Sequence, residues 1–153
     1  MPLPYTYSFL DTVCTIIGPN GAFPLGQGAG VDEGGITVEM REPKNTMKIG
    51  ADGTWMHSLH AGKGGKVTVR LLKNSPTNAL LSAMYNADTS NPSAHGQNII
   101  QVNQLTSLDE ITTQGCAFLQ QPTVTYDKEG PMLEWTWDAG QVDMLLGAGV
   151  TSI

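Results

Sequence analysis

Apolar and polar residues alternate with a period of two along most of this chain, and at one point the period changes. In Ile36-Thr37-Val38-Glu39-Met40-Arg41 the apolar side chains fall on one face and the polar ones on the other, the signature of a half-buried strand. A looser alternation rich in Thr, Val and Ile runs from Tyr7 to Ile17 and predicts a first strand. Val67, Val69 and Leu71 point inward in KVTVRLL. NIIQVNQL, EITTQGCAFLQQ, TVTYD and MLEWTWD are strand-like too, the last with Trp135 and Trp137 on one face. The Gly- and Pro-rich stretch GPNGAFPLGQGAG reads as a loop. TMKIGADGTWMHSLH holds Asp52-Gly53 between two strand-like runs, a dipeptide suited to a type I′ hairpin turn because both positions take positive φ. GKGG makes the next break.

The period shifts after Leu72. Ser75 stands where a helix N-cap belongs, and Pro76 follows at the first helical position, where its missing N–H costs nothing. Thr77, Leu80, Leu81, Met84 and Tyr85 then recur at three- and four-residue spacing, a stripe that predicts a helix of about three turns lying on a sheet. ADTSNPSAHG ends it. The sum is a mainly β fold, a β-sandwich or barrel of about seven to eight strands with one flanking α-helix. Residues 1–153 form a single domain with no internal repeat.

Composition sharpens this picture. Charged residues are only 14% of the chain, against about 25% in ordinary globular proteins, so the surface is polar but weakly charged, as in β-rich proteins that make large contacts with their own copies. No apolar run reaches a membrane span, and MPLPYTYSF lacks the basic start and apolar core of a signal peptide, so a soluble, cytoplasmic product is expected. Cys14 and Cys116 sit in apolar company and read as reduced core thiols, with a disulfide as the alternative. The net charge of −6 argues against a nucleic-acid gripping surface. Positions 41–73 carry seven basic residues and two acids, net +5, while the remainder is net −11. That segregation fits either a solvated hairpin or a molecule with unlike ends, suited to head-to-tail stacking.

Catalytic chemistry is not legible. His57 and His60, three apart on a strand, point to opposite faces, and no third metal ligand lies nearby. A phosphate loop at AGKGGKVT needs Gly at position 60 and Ser or Thr at position 67, where the chain has His60 and Val67. GQGAG lacks the spacing of a dinucleotide fingerprint, and Asp109 and Glu110 diverge as strand neighbours. No enzyme activity and no cofactor are expected. A carbohydrate-binding sandwich module stacking sugars on Trp55, Trp135 or Trp137 is the alternative from another class, although Trp135 and Trp137 alternate as core residues do.

KVTVRLLKNSPTNALLSAMYN, with MKIGADGTWMHSLHAGKGG before it and HGQNIIQV after it, resembles the tail tube proteins of contractile-tailed bacteriophages. YSFLDTVCTIIGPNGAFPLG and EWTWDAGQVDMLLGAG are similar to that family as well, so the likeness runs over nearly the whole chain. Gly50, Asp52, Gly53, Ser75, Pro76 and Asn78 match as builders of turns and a cap. The resemblance implies a structural virion protein whose copies form six-membered rings, their inner sheets joined into one barrel, stacked head-to-tail into a conduit for DNA. The same subunit would serve a headless, phage-derived injection particle. It implies assembly in the host bacterial cytoplasm and partners in sheath, tape-measure, baseplate and tail-terminator proteins, with duplex DNA passing without specific binding. A lumen wall should avoid basic groups, and alternation then assigns Gln101, Asn103, Glu110, Thr112 and Gln114 to it. The family's inter-ring hairpin corresponds to positions 50–66, with Lys63 and Lys66, flanking a turn at Gly64-Gly65, as the ring-stacking candidates.

Overall fold

A computed structural model describes residues 7–8, 11–25 and 31–147. In chain order the strands are β1 (Thr12–Gly18), β2 (Gly21–Pro24), β3 (Val31–Met40), β4 (Asn45–Ile49), β5 (Trp55–Leu59) and β6 (Gly65–Leu72). Helix α1 (Thr77–Ser90) follows, then β7 (Asn98–Gln104), β8 (Asp109–Gln120), β9 (Met132–Ala139) and β10 (Gln141–Leu145). One antiparallel sheet has the order β2-β1-β7-β8-β9-β6-β3, with β10 also on β8, and β4 and β5 form a separate hairpin. The fold is mainly β, with ten strands among the described residues against the seven or eight expected.

The long sheet becomes two layers because β8 serves both. Its first half pairs with β7 and β10, its second half with β9, and the change falls at Gly115, whose φ is +63°. Such a φ suits glycine, which has no Cβ to clash. Gly140 separates β9 from β10 beside it, its N–H donating to the carbonyls of Gln114 and Gly115. On the next strand Gly65 pairs with Ala139, and a Cβ there would stand 2.6 Å from the Glu39 carbonyl oxygen. Three glycines thus cross three neighbouring strands in a line where the sheet turns over. The first arm is β2-β1-β7-β8-β10 and the second β8-β9-β6-β3.

Both arms feed one core. Cys14, Ile16, Ile100 and Val102 come from the first, and Val67, Val69, Leu71, Trp135 and Trp137 from the second. Phe118 joins them, its ring 5.2 Å from Trp137 and edge-on to Trp135 and Tyr85. Each such apolar side chain contributes about 1.5–3 kcal/mol when fully buried. Cys14 and Cys116 are free buried thiols, and desolvation pushes the Cys14 thiol up to about 12.

Helix α1 covers this core and is tied at both ends. Pro76 is already helical in φ and ψ (−65°, −18°), and the Ser75 hydroxyl oxygen accepts the Thr77 N–H at 3.3 Å. Asn78 donates to the Leu72 carbonyl and accepts the Trp135 indole N–H at 3.1 Å. Near the other end, buried Asp88 accepts from Asn98 at 2.8 Å and from Asn20. Ser75→Ala should therefore cost about 1 kcal/mol, a drop of about 2–4 °C in Tm by thermal denaturation. An unchanged Tm would show that the cap does nothing.

Several sequence expectations need correction. The helix has 14 residues, nearly four turns, because its inward stripe runs Thr77, Leu81, Met84, Asp88 and carries the pattern through ADTS. Leu80 lies off that stripe and is exposed. The first strand begins at Thr12; Phe9 and Leu10 lie outside the described residues. Within the expected loop at 18–30, β2 pairs with β1, and residues 26–30 lie outside the described residues. TVTYD is an exposed connection between β8 and β9, and a strand not expected from the sequence, β10, follows β9. The hairpin turn is not type I′, because Gly53 has φ +89° whereas Asp52 keeps a negative φ. Gly53 donates to the Gly50 carbonyl and Gly50 to the Thr54 carbonyl, the pattern of a three-residue loop, 51–53, closed by a bulge glycine.

Candidate functional site: a polar sheet face and a projecting hairpin

In an antiparallel pair, directly opposed residues share a face. On the first arm, Thr15 opposes Gln101, Gln101 opposes Thr112, and Thr112 opposes Asp143. The next row is Val13, Asn103, Glu110 and Leu145, and Gln114 pairs with Gln141 one step the other way. Gln101, Asn103, Glu110, Thr112 and Gln114 therefore lie together on one face. The opposite face holds Cys14, Ile16, Ile100, Val102 and Thr113, which are buried in or beside the core. No lysine or arginine occurs in β1, β2, β7, β8 or β10. The middle of the wall is amides, hydroxyls and carboxylates, with Val13 and Leu145 at its two sides.

The outer face of the second arm differs. Lys66 lies between Glu39 and Asp138 across neighbouring strands, Arg70 meets Glu134 at 3.2 Å, and Arg41 bridges to Asp138. Lys63 lies 3.4 Å from Asp143, both half exposed. The turn expected at Gly64-Gly65 is absent, because β6 starts at Gly65 to match Ala139, so Lys66 is a strand residue with acidic cross-strand neighbours.

The hairpin β4–β5 lies at 45–59 rather than 50–66, and it joins neither arm. Its register puts Met47, Ile49, Trp55, His57 and Leu59 on one side, and Thr46, Lys48, Met56 and Ser58 on the other. The first side is apolar and open to solvent: Trp55 is 69% exposed and Leu59 86%. His57 and His60 bond to Asn45 and Thr46 of β4 within the hairpin. At the tip, the Thr54 hydroxyl and then its backbone N–H hold the Asp52 carboxyl below the usual carboxylate range. The sequence shows Met47-x-Ile49 and Trp55-x-His57-x-Leu59 as ordinary strand alternation. Only the pairing places both sets on one uncovered side.

Among the described residues no cluster of His, Cys, Asp and Glu is arranged to hold a metal ion, and no helix is long and apolar enough to cross a membrane. Trp135 and Trp137 are buried in the core, which withdraws them as sugar platforms.

The sequence matches a family described as bacteriophage PhiTE tail tube protein over residues 5–147. No curated protein matches the chain. A chain of the cryo-EM structure of an extracellular contractile injection system, the PVC sheath–tube complex in the extended state, superposes with a TM-score of 0.57 at 14% identity, covering 93% of each chain. A chain of the anti-feeding prophage cap, described as the AFP tube terminating cap, gives a TM-score of 0.57 at 12% identity over 96% of this chain and 95% of that one. The PVC sheath/tube terminator gives 0.52 at 14% identity over 92% and 97%. At these identities the likeness establishes the fold.

Proposed function

Because this chain belongs to the bacteriophage PhiTE tail tube protein family, we propose that its copies close into six-membered rings that stack head-to-tail as the tube of a contractile tail. Its role is structural, in the tail of the virion. The proposal adds that the tube assembles in the cytoplasm of the bacterial host, around a tape-measure protein and inside a sheath, between a baseplate and a terminator. The solved structures with this fold come from sheath–tube, terminator and baseplate assemblies, which supports that set of partners. Those are injection systems, and the same subunit physics serves either particle; the phage family match favours the phage tail.

The observation that carries the reading is the single face of Gln101, Asn103, Glu110, Thr112 and Gln114, on an arm without lysine or arginine. Lining a lumen, it repels phosphate or holds water against it, so duplex DNA passes without lasting contacts. Joining the first arms of neighbouring copies also removes open strand edges that a lone subunit exposes. The hairpin β4–β5 reaches the adjoining ring with its apolar side. Lys63 and Lys66 sit at its base, where Lys63 must exchange its Asp143 partner to act in stacking.

Negative-stain electron microscopy of the purified protein should show rings or hollow tubes; monodisperse monomers would overturn the proposal. The lumen assignment has its own test. The parent should show no saturable affinity for duplex DNA in the micromolar range, and Gln101→Lys with Glu110→Lys should still form rings but gain salt-sensitive binding at roughly micromolar strength. Ring formation without any such gain would move the lumen to another face.

A further inference from the structure

The connection between β8 and β9 is longer than joining them requires. Antiparallel neighbours are commonly closed by loops of about two to five residues, whereas residues 121–131 make a connection of eleven. Its stretch Thr123-Val124-Thr125-Tyr126 alternates as a strand does, and the alternation holds in three dimensions: Val124 and Tyr126 line one groove, while Thr123 and Thr125 do not. No backbone group of residues 123–127 bonds to another backbone group among the described residues. Such a segment is a strand edge without a partner.

The groove beside it is built by three elements. Helix α1 contributes Asn78, the connection Val124 and Tyr126, and β9 the buried Leu133 and Trp135, around a volume of about 430 Å³, within the range of ligand clefts. Asn78 is already committed to the Leu72 carbonyl and the Trp135 indole. Charge in the groove is one-sided. Lys73 is the only charged residue on its lining, with Nζ 5.9 Å from the centre of the Tyr126 ring, and it makes no ion pair among the described residues. In a chain of net charge −6, this leaves a local cation placed to meet an incoming anion.

We infer that this groove takes an extended acidic segment of a partner protein, added as a strand against residues 123–126. Backbone bonding to the open edge supplies affinity, and side chains two apart enter the groove: an aliphatic one against Leu133 and Trp135, and a carboxylate at Lys73. The inference goes beyond ring formation and does not depend on it, since every part of the groove belongs to one copy.

The probe is an end-labelled peptide, Thr-Val-Thr-Glu-Thr, titrated with the full chain and read by fluorescence anisotropy. It should bind saturably below about 1 mM. The same peptide with Lys in place of Glu should bind at least about fivefold more weakly. A form methylated on every backbone nitrogen should not bind, because it has lost the donors that a ladder needs. Lys73→Met should weaken the acidic peptide about fivefold and remove its advantage over the lysine form, with Tm within about 2 °C of the parent. Equal binding of the methylated peptide would overturn strand addition. Equal binding of the acidic and lysine forms, or a Lys73→Met variant that binds like the parent, would overturn the acidic partner. Absence of any binding by the acidic peptide at about 1 mM would overturn the proposal outright. A chain that binds the peptide yet forms no rings would sink the ring reading and leave this groove standing.

Discussion

Gly65→Ala should cost about 3 kcal/mol, the upper end for overpacking, and lower Tm by about 6–12 °C. The added methyl meets the Glu39 carbonyl oxygen and the Val142 side chain, each 2.6 Å away. A carbonyl bound into a sheet cannot rotate aside as the end of a flexible side chain can. Relief requires β3 to part from β6, or β10 to lift from its place, and either loosens the crossing between the arms. Against a domain stability of about 5–15 kcal/mol, one methyl group removes a large fraction. Gly130→Ala is the control: nothing lies within 4 Å of its Cβ, so the change should stay within about 0.5 kcal/mol. Equal Tm values for the two variants would mean that the sheet does not turn where Gly65, Gly140 and Gly115 align.

Leu81→Asp should be more damaging, at on the order of 4 kcal/mol or more. Leu81 is fully buried on the inward stripe of α1, and removing a core leucine alone costs about 2–5 kcal/mol. The carboxylate must in addition be desolvated or protonated, since apolar neighbours offer it no partner. Leu80→Asp, one residue earlier, falls on a position 51% exposed and should change stability by about 0.5 kcal/mol at most. Circular dichroism melts of the two variants compare the same substitution on opposite sides of one helix. If Leu81→Asp melts with the parent, α1 does not pack as described.

Much of this fold was legible because its signals are local. Alternation located β6, β7, β8 and β9, and Ser75-Pro76 marked the helix start, since period and cap chemistry act over a few residues. Alternation also grouped Gln101 and Asn103 with Glu110, Thr112 and Gln114, and β7–β8 pairing kept that grouping. The misses share a cause, which is dependence on a partner strand. TVTYD alternates as well as any strand yet has no pairing edge, whereas β10 exists because the first half of β8, residues 110–114, offers a second edge beside β7. β2 hid among glycines and a proline because a short edge strand on β1 tolerates both. The uncovered side of the hairpin was illegible for the opposite reason: its residues look like core, and nothing in the string says that no second layer covers them.

The exposure of Trp55 has a practical consequence. The chain has three tryptophans, and Trp135 and Trp137 are 2% and 0% exposed. A water-soluble quencher such as iodide reaches an indole only by collision, so the quenchable part of the intrinsic fluorescence comes from Trp55. The buried pair supplies a steady blue-shifted background that responds to unfolding. Covering of the hairpin and loss of fold would therefore register in separate components of one emission spectrum, so the proposed joining of copies is open to measurement in real time on unlabelled protein.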